Sequence, residues 1–296
     1  MAHQIHVVDV FATQPYAGNP LAVVISDRPP SSTTMQRIAV EMNYSETTFV
    51  TPVLESDGGY RVRLFTPARE IAFAGHPILG TGWVLRQHLG LVAGASLRLN
   101  LIVGQVCVTF ERGESEQDVA WFTAPPVSLG VTCGPERMAR ALGISADDLD
   151  ASAPVQQASS GTAAMIVPVR TLVALQRCRL DLNAYAPLVA EGFPPLVYMF
   201  CRETRDPQNH FSARFFFEAH GVREDPATGN GAAFLAAYLL EHRWLESGFD
   251  VRIEQGYDMR RPSLVLLRAR TVDGKREIKV GGSVVPTMRG ELIHAD

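Results

Sequence analysis

Asp225-Pro226-Ala227-Thr228-Gly229-Asn230-Gly231-Ala232-Ala233-Phe234-Leu235-Ala236-Ala237-Tyr238-Leu239-Leu240 joins a turn of small residues to a run that is apolar on nearly every face. A helix of that kind cannot lie on a surface. It has to be wrapped, and short strands on all sides can do the wrapping. The chain holds a second version of the stretch. Gly75-His76-Pro77-Ile78-Leu79-Gly80-Thr81-Gly82, followed by Trp83-Val84-Leu85, matches it at an offset of 149 residues, with His76 opposite Asp225, Pro77 opposite Pro226, Gly80 opposite Gly229 and Gly82 opposite Gly231. Upstream, Arg63-Leu64-Phe65 matches Arg214-Phe215-Phe216 at an offset of 151, so on this alignment the first copy is two residues longer between the landmarks. Strand, glycine-rich turn and buried helix therefore occur twice. The expected fold is α+β, with two pseudo-symmetric lobes of residues 1–124 and 125–296, each a curved, mostly antiparallel sheet or barrel around a central helix.

The first N–H groups of a helix have no partner inside it, and the macrodipole adds partial positive charge there, so a carboxylate or phosphate is favoured at that end. The glycine spacing is not a nucleotide fingerprint, because the first copy lacks G-x-G-x-x-G and neither copy has the lysine of a phosphate loop. A small carboxylate is the expected ligand.

Composition narrows the classes further. A length of 296 residues, 46% of them hydrophobic, suits two ordinary domains. The net charge of −4 comes without a basic block, which argues against nucleic acid as a partner. The longest apolar run, residues 232–240, falls short of the roughly 20 residues of a membrane span, so no membrane partner is expected. Asp9 interrupts the only apolar stretch near the start and no basic segment precedes it, unlike a signal peptide; the expected compartment is the cytoplasm. Cys107, Cys133, Cys178 and Cys201 are scattered without C-x-x-C, and no histidine falls in a paired-ligand pattern. Reduced, structural cysteines and no metal are expected.

In chain order, residues 5–11 and 21–25 read as strands around the turn Tyr16-Ala17-Gly18-Asn19-Pro20. A helix over 35–42, capped by Thr33 or Thr34, ends at Asn43-Tyr44, and a strand over 45–50 follows. Residues 60–65 alternate as a half-buried strand does. Gly90 closes the first central helix, a hairpin turns at Val103-Gly104-Gln105, and 119–123 adds a strand before a linker at Ala124-Pro125-Pro126. Beyond it come helices over 135–142 and 171–177, strands over 163–169, 196–201 and 211–217, and three more after the second central helix, at 251–254, 263–267 and 277–282.

Several ordered motifs together resemble the PhzF-like isomerases of phenazine biosynthesis, whose fold is that of diaminopimelate epimerase. They are Gly18-Asn19-Pro20-Leu21-Ala22-Val23-Val24, Ser45-Glu46-Thr47, Gly75-His76-Pro77 with Leu79-Gly80-Thr81, Glu224-Asp225-Pro226-Ala227-Thr228-Gly229, and Gln255-Gly256 with Arg261-Pro262-Ser263. The resemblance implies two similar lobes with the last strand able to return to the first, an active site in the cleft between them, no cofactor and a homodimer. It implies that Glu46 carries a proton from one substrate carbon to another, that His76 and Asp225 hold or polarise polar groups of the substrate, and that Gly75, Gly229 and Asn230 bind its carboxylate. A carboxylate desolvated in an apolar cleft has its pKa raised, which suits a base that must also act as an acid. The family commonly has serine where this chain has Asn230, so a hydroxyl donor is replaced by a larger amide and the substrate stays open. Racemases of the same fold use two thiols, and no cysteine stands near His76 or Asp225.

Read alone, Glu46 is a strand-edge glutamate in solvent, Asp225 a turn or cap, His76 a histidine bonded to backbone, and Asn19 a turn residue first and a pocket residue second. Gln255, Gly256 and Arg261 are assigned no chemistry. Three functions follow: a cofactor-free isomerase acting on a small carboxylate-bearing substrate, an epimerase or racemase of an amino or hydroxy acid, and a non-catalytic binding or partner module. Solvent deuterium entering a substrate carbon separates the enzymes from the module.

Overall fold

The computed structural model describes residues 3–92, 94–113, 117–217 and 222–294. Two units emerge, one made of residues up to Thr123 together with those from Val280 onward, the other running from Ala124 to Lys279.

The first unit contains β1 (His3–Val10), β2 (Asn19–Ile25), α1 (Ser32–Met42), β3 (Glu46–Leu54), β4 (Tyr60–Phe65), β5 (Glu70–Ile71), α2 (Gly75–His88), β6 (Ser96–Leu101), β7 (Gly104–Arg112) and β8 (Asp118–Thr123). Strand pairing runs β1, β2, β3, β4, β6, β7, β8 in order. The end of the last strand of the chain pairs with both β8 and β1 and closes the ring into an eight-stranded barrel. Pairs are antiparallel except β2–β3 and β4–β6. α2 fills the barrel, with Gly75 to Gly82 all buried. Because side chains alternate across a strand, β3 serves two layers. Phe49 packs outward with Met35 and Ala39 of α1, while the Thr48 hydroxyl reaches that of Thr81 on α2 at 2.7 Å. The cap of α1 is Ser31, whose Oγ accepts from the Thr34 N–H, rather than Thr33 or Thr34. Asn43 ends the helix in the left-handed region, φ 52°.

The second unit contains β9 (Ser128–Cys133), α3 (Pro135–Ala141), β10 (Val155–Ser160), β11 (Thr162–Pro168), α4 (Leu172–Arg177), α5 (Leu182–Ala190), β12 (Val197–Cys201), β13 (Phe211–Phe217), β14 (Val222–Asp225), α6 (Gly229–Glu241), β15 (Phe249–Gln255), β16 (Ser263–Val272) and the start of β17 (Lys275–Leu292). Its sheet runs β9, β10, β11, β12, β13, β15, β16, again antiparallel except at two joints, β11–β12 and β13–β15. α6 is buried at every position from Gly231 to Leu239. A second apolar layer joins α3, α4 and α5 to the outer face of the sheet, through Met138, Leu175, Tyr185 and Leu188 against Val197, Met199 and Phe216.

Strand pairing corrects the register of the internal repeat. Phe65 faces Glu70 and Leu64 faces Ile71 in the first unit; Phe216 faces Glu224 and Phe215 faces Asp225 in the second. The central helices then start at Gly75 and Gly229, an offset of 154. Leu99 and Ile253, the parallel partners of Tyr60 and Phe211, keep that offset. The second copy is thus three residues longer between its phenylalanine and its glutamate. His76 is the counterpart of Asn230, not of Asp225, whose counterpart is Ile71. Gly80 and Gly82 lie inside α2, whereas Gly229 opens α6. Hydrogen-bonded ladders fix register over many residues, and a handful of matching prolines and glycines does not.

Candidate active site

In the first unit Glu46, His76, Asn19 and Gly75 come together. Glu46 opens β3 on the face that Thr48 turns toward α2, and only 7% of it is exposed. His76 is the second residue of α2, with Nε2 3.4 Å from Glu46 Oε2. Its other nitrogen, Nδ1, accepts from Asn19 Nδ2 at 3.2 Å, where Asn19 opens β2. Burial pushes the His76 pKa down to about 3, so the ring is neutral at physiological pH. With Nδ1 accepting, the single ring proton sits on Nε2 and faces the carboxylate. The residue before α2 is Ala74, which supplies no side-chain cap, so the N–H groups of Gly75 and His76 have no partner within the helix.

The second unit gathers Asp225, Gly229 and Asn230. Asp225 ends β14 and is buried, as is Gly229; Asn230 is half-buried. Thr228 is the N-cap of α6, yet its hydroxyl makes no capping bond and donates to Asp225 Oδ2 at 2.5 Å. The outer helices α1, α4 and α5 are capped by the side chains of Ser31, Thr171 and Asp181, whereas the two central helices have none. α3 also lacks a side-chain cap, but it opens with a proline, whose missing N–H needs none.

Sequence reasoning left Gln255 without a role. It is 1% exposed, at the end of β15, and its side chain bonds to the turn that carries Asp225. Nε2 donates to the Asp225 carbonyl at 2.8 Å and to Thr228 Oγ1 at 3.1 Å, while Oε1 accepts from the Thr228 N–H at 3.3 Å. The only prior signal was the Gln255-Gly256 pair of the resemblance.

The position of Glu46 has its counterpart at Leu196, the residue that precedes β12 as Glu46 precedes Thr47, since Thr47 and Val197 face Phe65 and Phe216. The second unit therefore carries an apolar side chain where the first carries Glu46. Cys107 lies on β7, Cys133 on β9, Cys201 on β12 and Cys178 just after α4, so no thiol stands at either central helix start. Among the described residues no group of three or more histidines, cysteines or carboxylates is placed to hold a metal, and no helix is long and apolar enough to cross a membrane.

Comparison with known proteins agrees over the whole length. Residues 8–290 match the family model described as phenazine biosynthesis-like protein. A trans-2,3-dihydro-3-hydroxyanthranilate isomerase of Pseudomonas chlororaphis is 33% identical, over 98% of this chain and 99% of its own. An uncharacterized isomerase of Mesorhizobium japonicum is 34% identical over 96% of both chains. Among solved structures, a PhzF-family phenazine biosynthesis protein of Bacillus anthracis superposes with a TM-score of 0.90 at 25% identity, over 99% of this chain and 100% of that one.

Proposed function

This chain belongs to the phenazine biosynthesis-like (PhzF) family and is an isomerase, and from that premise we propose that it moves a proton within a small carboxylate-bearing substrate, with Glu46 as the carrier and no cofactor. Glu46 takes a proton from one carbon, a double bond shifts, and the same carboxyl returns the proton to another carbon. The neutral His76 donates from Nε2 toward the carboxylate or toward a polar group of the substrate, and Asn19 keeps that tautomer. Backbone N–H groups at Gly75, and at Gly229 with Asn230, bind the substrate carboxylate, which helix starts without side-chain caps favour. Asp225 holds a further polar group. The relative from Pseudomonas chlororaphis is named for a ring carboxylate with neighbouring amino and hydroxyl groups; that substrate class is proposed here too. A homodimer in the cytoplasm completes the reading.

The observation that carries it is the buried Glu46 facing a neutral His76 while the duplicated position is Leu196. One carboxylate suits a proton that leaves and returns through the same group, whereas racemisation through two opposed bases needs a second.

The test is isomerisation in D2O with trans-2,3-dihydro-3-hydroxyanthranilate. A shifted double bond is expected, with deuterium at the receiving ring carbon in the fraction of turnovers in which the Glu46 carboxyl exchanges its proton with solvent before returning it, and Glu46→Gln is expected to reduce turnover by roughly 10²–10⁴-fold with the fold intact. Full exchange in the glutamine variant removes Glu46 from the mechanism. A product that differs only in the configuration of one centre replaces the isomerase reading with an epimerase one.

A further inference from the structure

We infer that Gln255 and Thr228 are positioning residues that act together on Asp225, through a chain in which amide donates to hydroxyl and hydroxyl donates to carboxylate. The inference rests on the reading of Asp225 as a substrate-binding group and adds what sets its orientation and charge. Gln255 Nε2 donates to Thr228 Oγ1, and that oxygen's own proton goes to Asp225 Oδ2. A hydroxyl that accepts one bond while donating another is polarised in the donating direction, which strengthens the bond to the carboxylate. All three side chains are buried, at 1%, 8% and 7% exposure for Gln255, Thr228 and Asp225, so the chain runs where water does not compete.

Two features separate this arrangement from an ordinary buried amide. Thr228 sits where a threonine normally accepts from the first turn of its helix, and it gives that bond up to face Asp225. Gly256, next to Gln255, has φ +77°, and a Cβ there would lie 2.5 Å from the Pro226 carbonyl oxygen and 2.4 Å from that of Arg261. The backbone on either side of Gln255 is therefore pressed against the same turn that its side chain grips, and a bulkier residue at 256 would push the two apart.

Among the described residues, the groups around the carboxylate come from four elements. On its own sheet it faces Phe215, and Tyr198 follows in the same cross-strand row, its phenol kept protonated because burial raises its pKa. Arg214 and Glu224, each one residue away along its strand, point to the other face and pair with each other. β15 contributes Gln255 and the loop after it Arg261; α6 contributes Gly229 and Asn230. A hydroxyl donor holds a buried carboxylate ionised, so losing the donor raises its pKa.

The experiment follows the 13C carboxyl resonance of Asp225 through a pH titration in the wild-type chain and in Thr228→Val, Thr228→Ser and Gln255→Leu, beside the pH profile of kcat/KM. Thr228→Val is expected to move both the resonance midpoint and the acid limb of the profile upward by about one unit, equivalent to about tenfold in kcat/KM on that limb. Thr228→Ser should restore both, and Gln255→Leu should give a smaller shift of the same sign. A purely structural role would lower activity equally at every pH and leave the midpoint where it was; that outcome overturns the inference. Asp225→Asn tests the underlying reading separately. If it keeps full activity while the midpoint still moves in Thr228→Val, the chain of bonds stands and the assignment of Asp225 to the substrate fails.

Discussion

The two units repeat the same frame and then part where chemistry begins. Arg63 grips Glu70 through two bonds of 2.7 and 2.6 Å and lies over Phe65 at 5.0 Å; Arg214 grips Glu224 through two of 2.9 and 2.8 Å and lies over Phe216 at 4.9 Å. Around these anchors the positions diverge. Glu46 stands where the other unit has Leu196, His76 where it has Asn230, and Ile71 where it has Asp225. Polarity even reverses at one pair. Asn100 donates to the acidic loop residues Glu55 and Asp57, while its counterpart Glu254 accepts from the N–H groups of Arg205 and Asp206 and from Asn209. The repeated parts are those that close a sheet on a helix.

The largest effect expected from making the halves alike is at His76. Its pKa is lowered from 6.5 to about 3, so between those values the unfolded chain binds a proton that the folded chain does not. Stability therefore falls as pH drops from 6.5 toward 3, by an amount on the order of 5 kcal/mol at the acid end. His76→Asn, which copies Asn230, should flatten that part of a plot of unfolding free energy against pH; an unchanged slope would mean the ring is not neutral. The arginine anchors come next. Arg214 is 5% exposed at its side chain and also donates to the carbonyls of Leu175, Gln176 and Cys178, whereas Arg63 is 28% exposed. Arg214→Ala leaves a buried glutamate without its cation and should cost about 3–5 kcal/mol by chemical denaturation. Arg63→Ala should cost about 1 kcal/mol at most. Equal losses would show that burial does not distinguish the pairs. Between the two arginines in size falls Gly231, where an added Cβ would lie 2.4 Å from the Tyr198 ring. Gly231→Ala should cost about 1–3 kcal/mol in thermal unfolding, partly regained with Tyr198→Phe if the ring shifts more easily once its buried hydroxyl is gone.

The central helices could be read from the sequence because α6 leaves no polar face to put in water, and the Arg-x-Phe landmarks were visible because both members of each pair face the same way. The register between them could not. The second copy takes up its additional residues between Phe216 and Glu224, and coincident prolines and glycines hid the shift. α5 carries Pro187 in its interior, which argues against a helix by propensity, yet Asp181 caps it and Tyr185 and Leu188 anchor it in the outer apolar layer. β10, Val155–Ser160, is mostly polar and exists because β9 and β11 flank it. Glu46, His76, Asn19 and Gly75 were each singled out from motifs, and it is the fold that brings β2, β3 and α2 together around them. Gln255 offered no such pattern. A buried amide reveals its purpose only through the groups it touches.

The last strand ties the closure of one unit to the far end of the chain. β17 starts within the second unit and finishes against β1, and without its final stretch the first barrel stays open along one seam. A chain cut before residue 280 would leave β1 with a bare hydrogen-bonding edge, a template on which copies of the truncated protein would join side by side and aggregate.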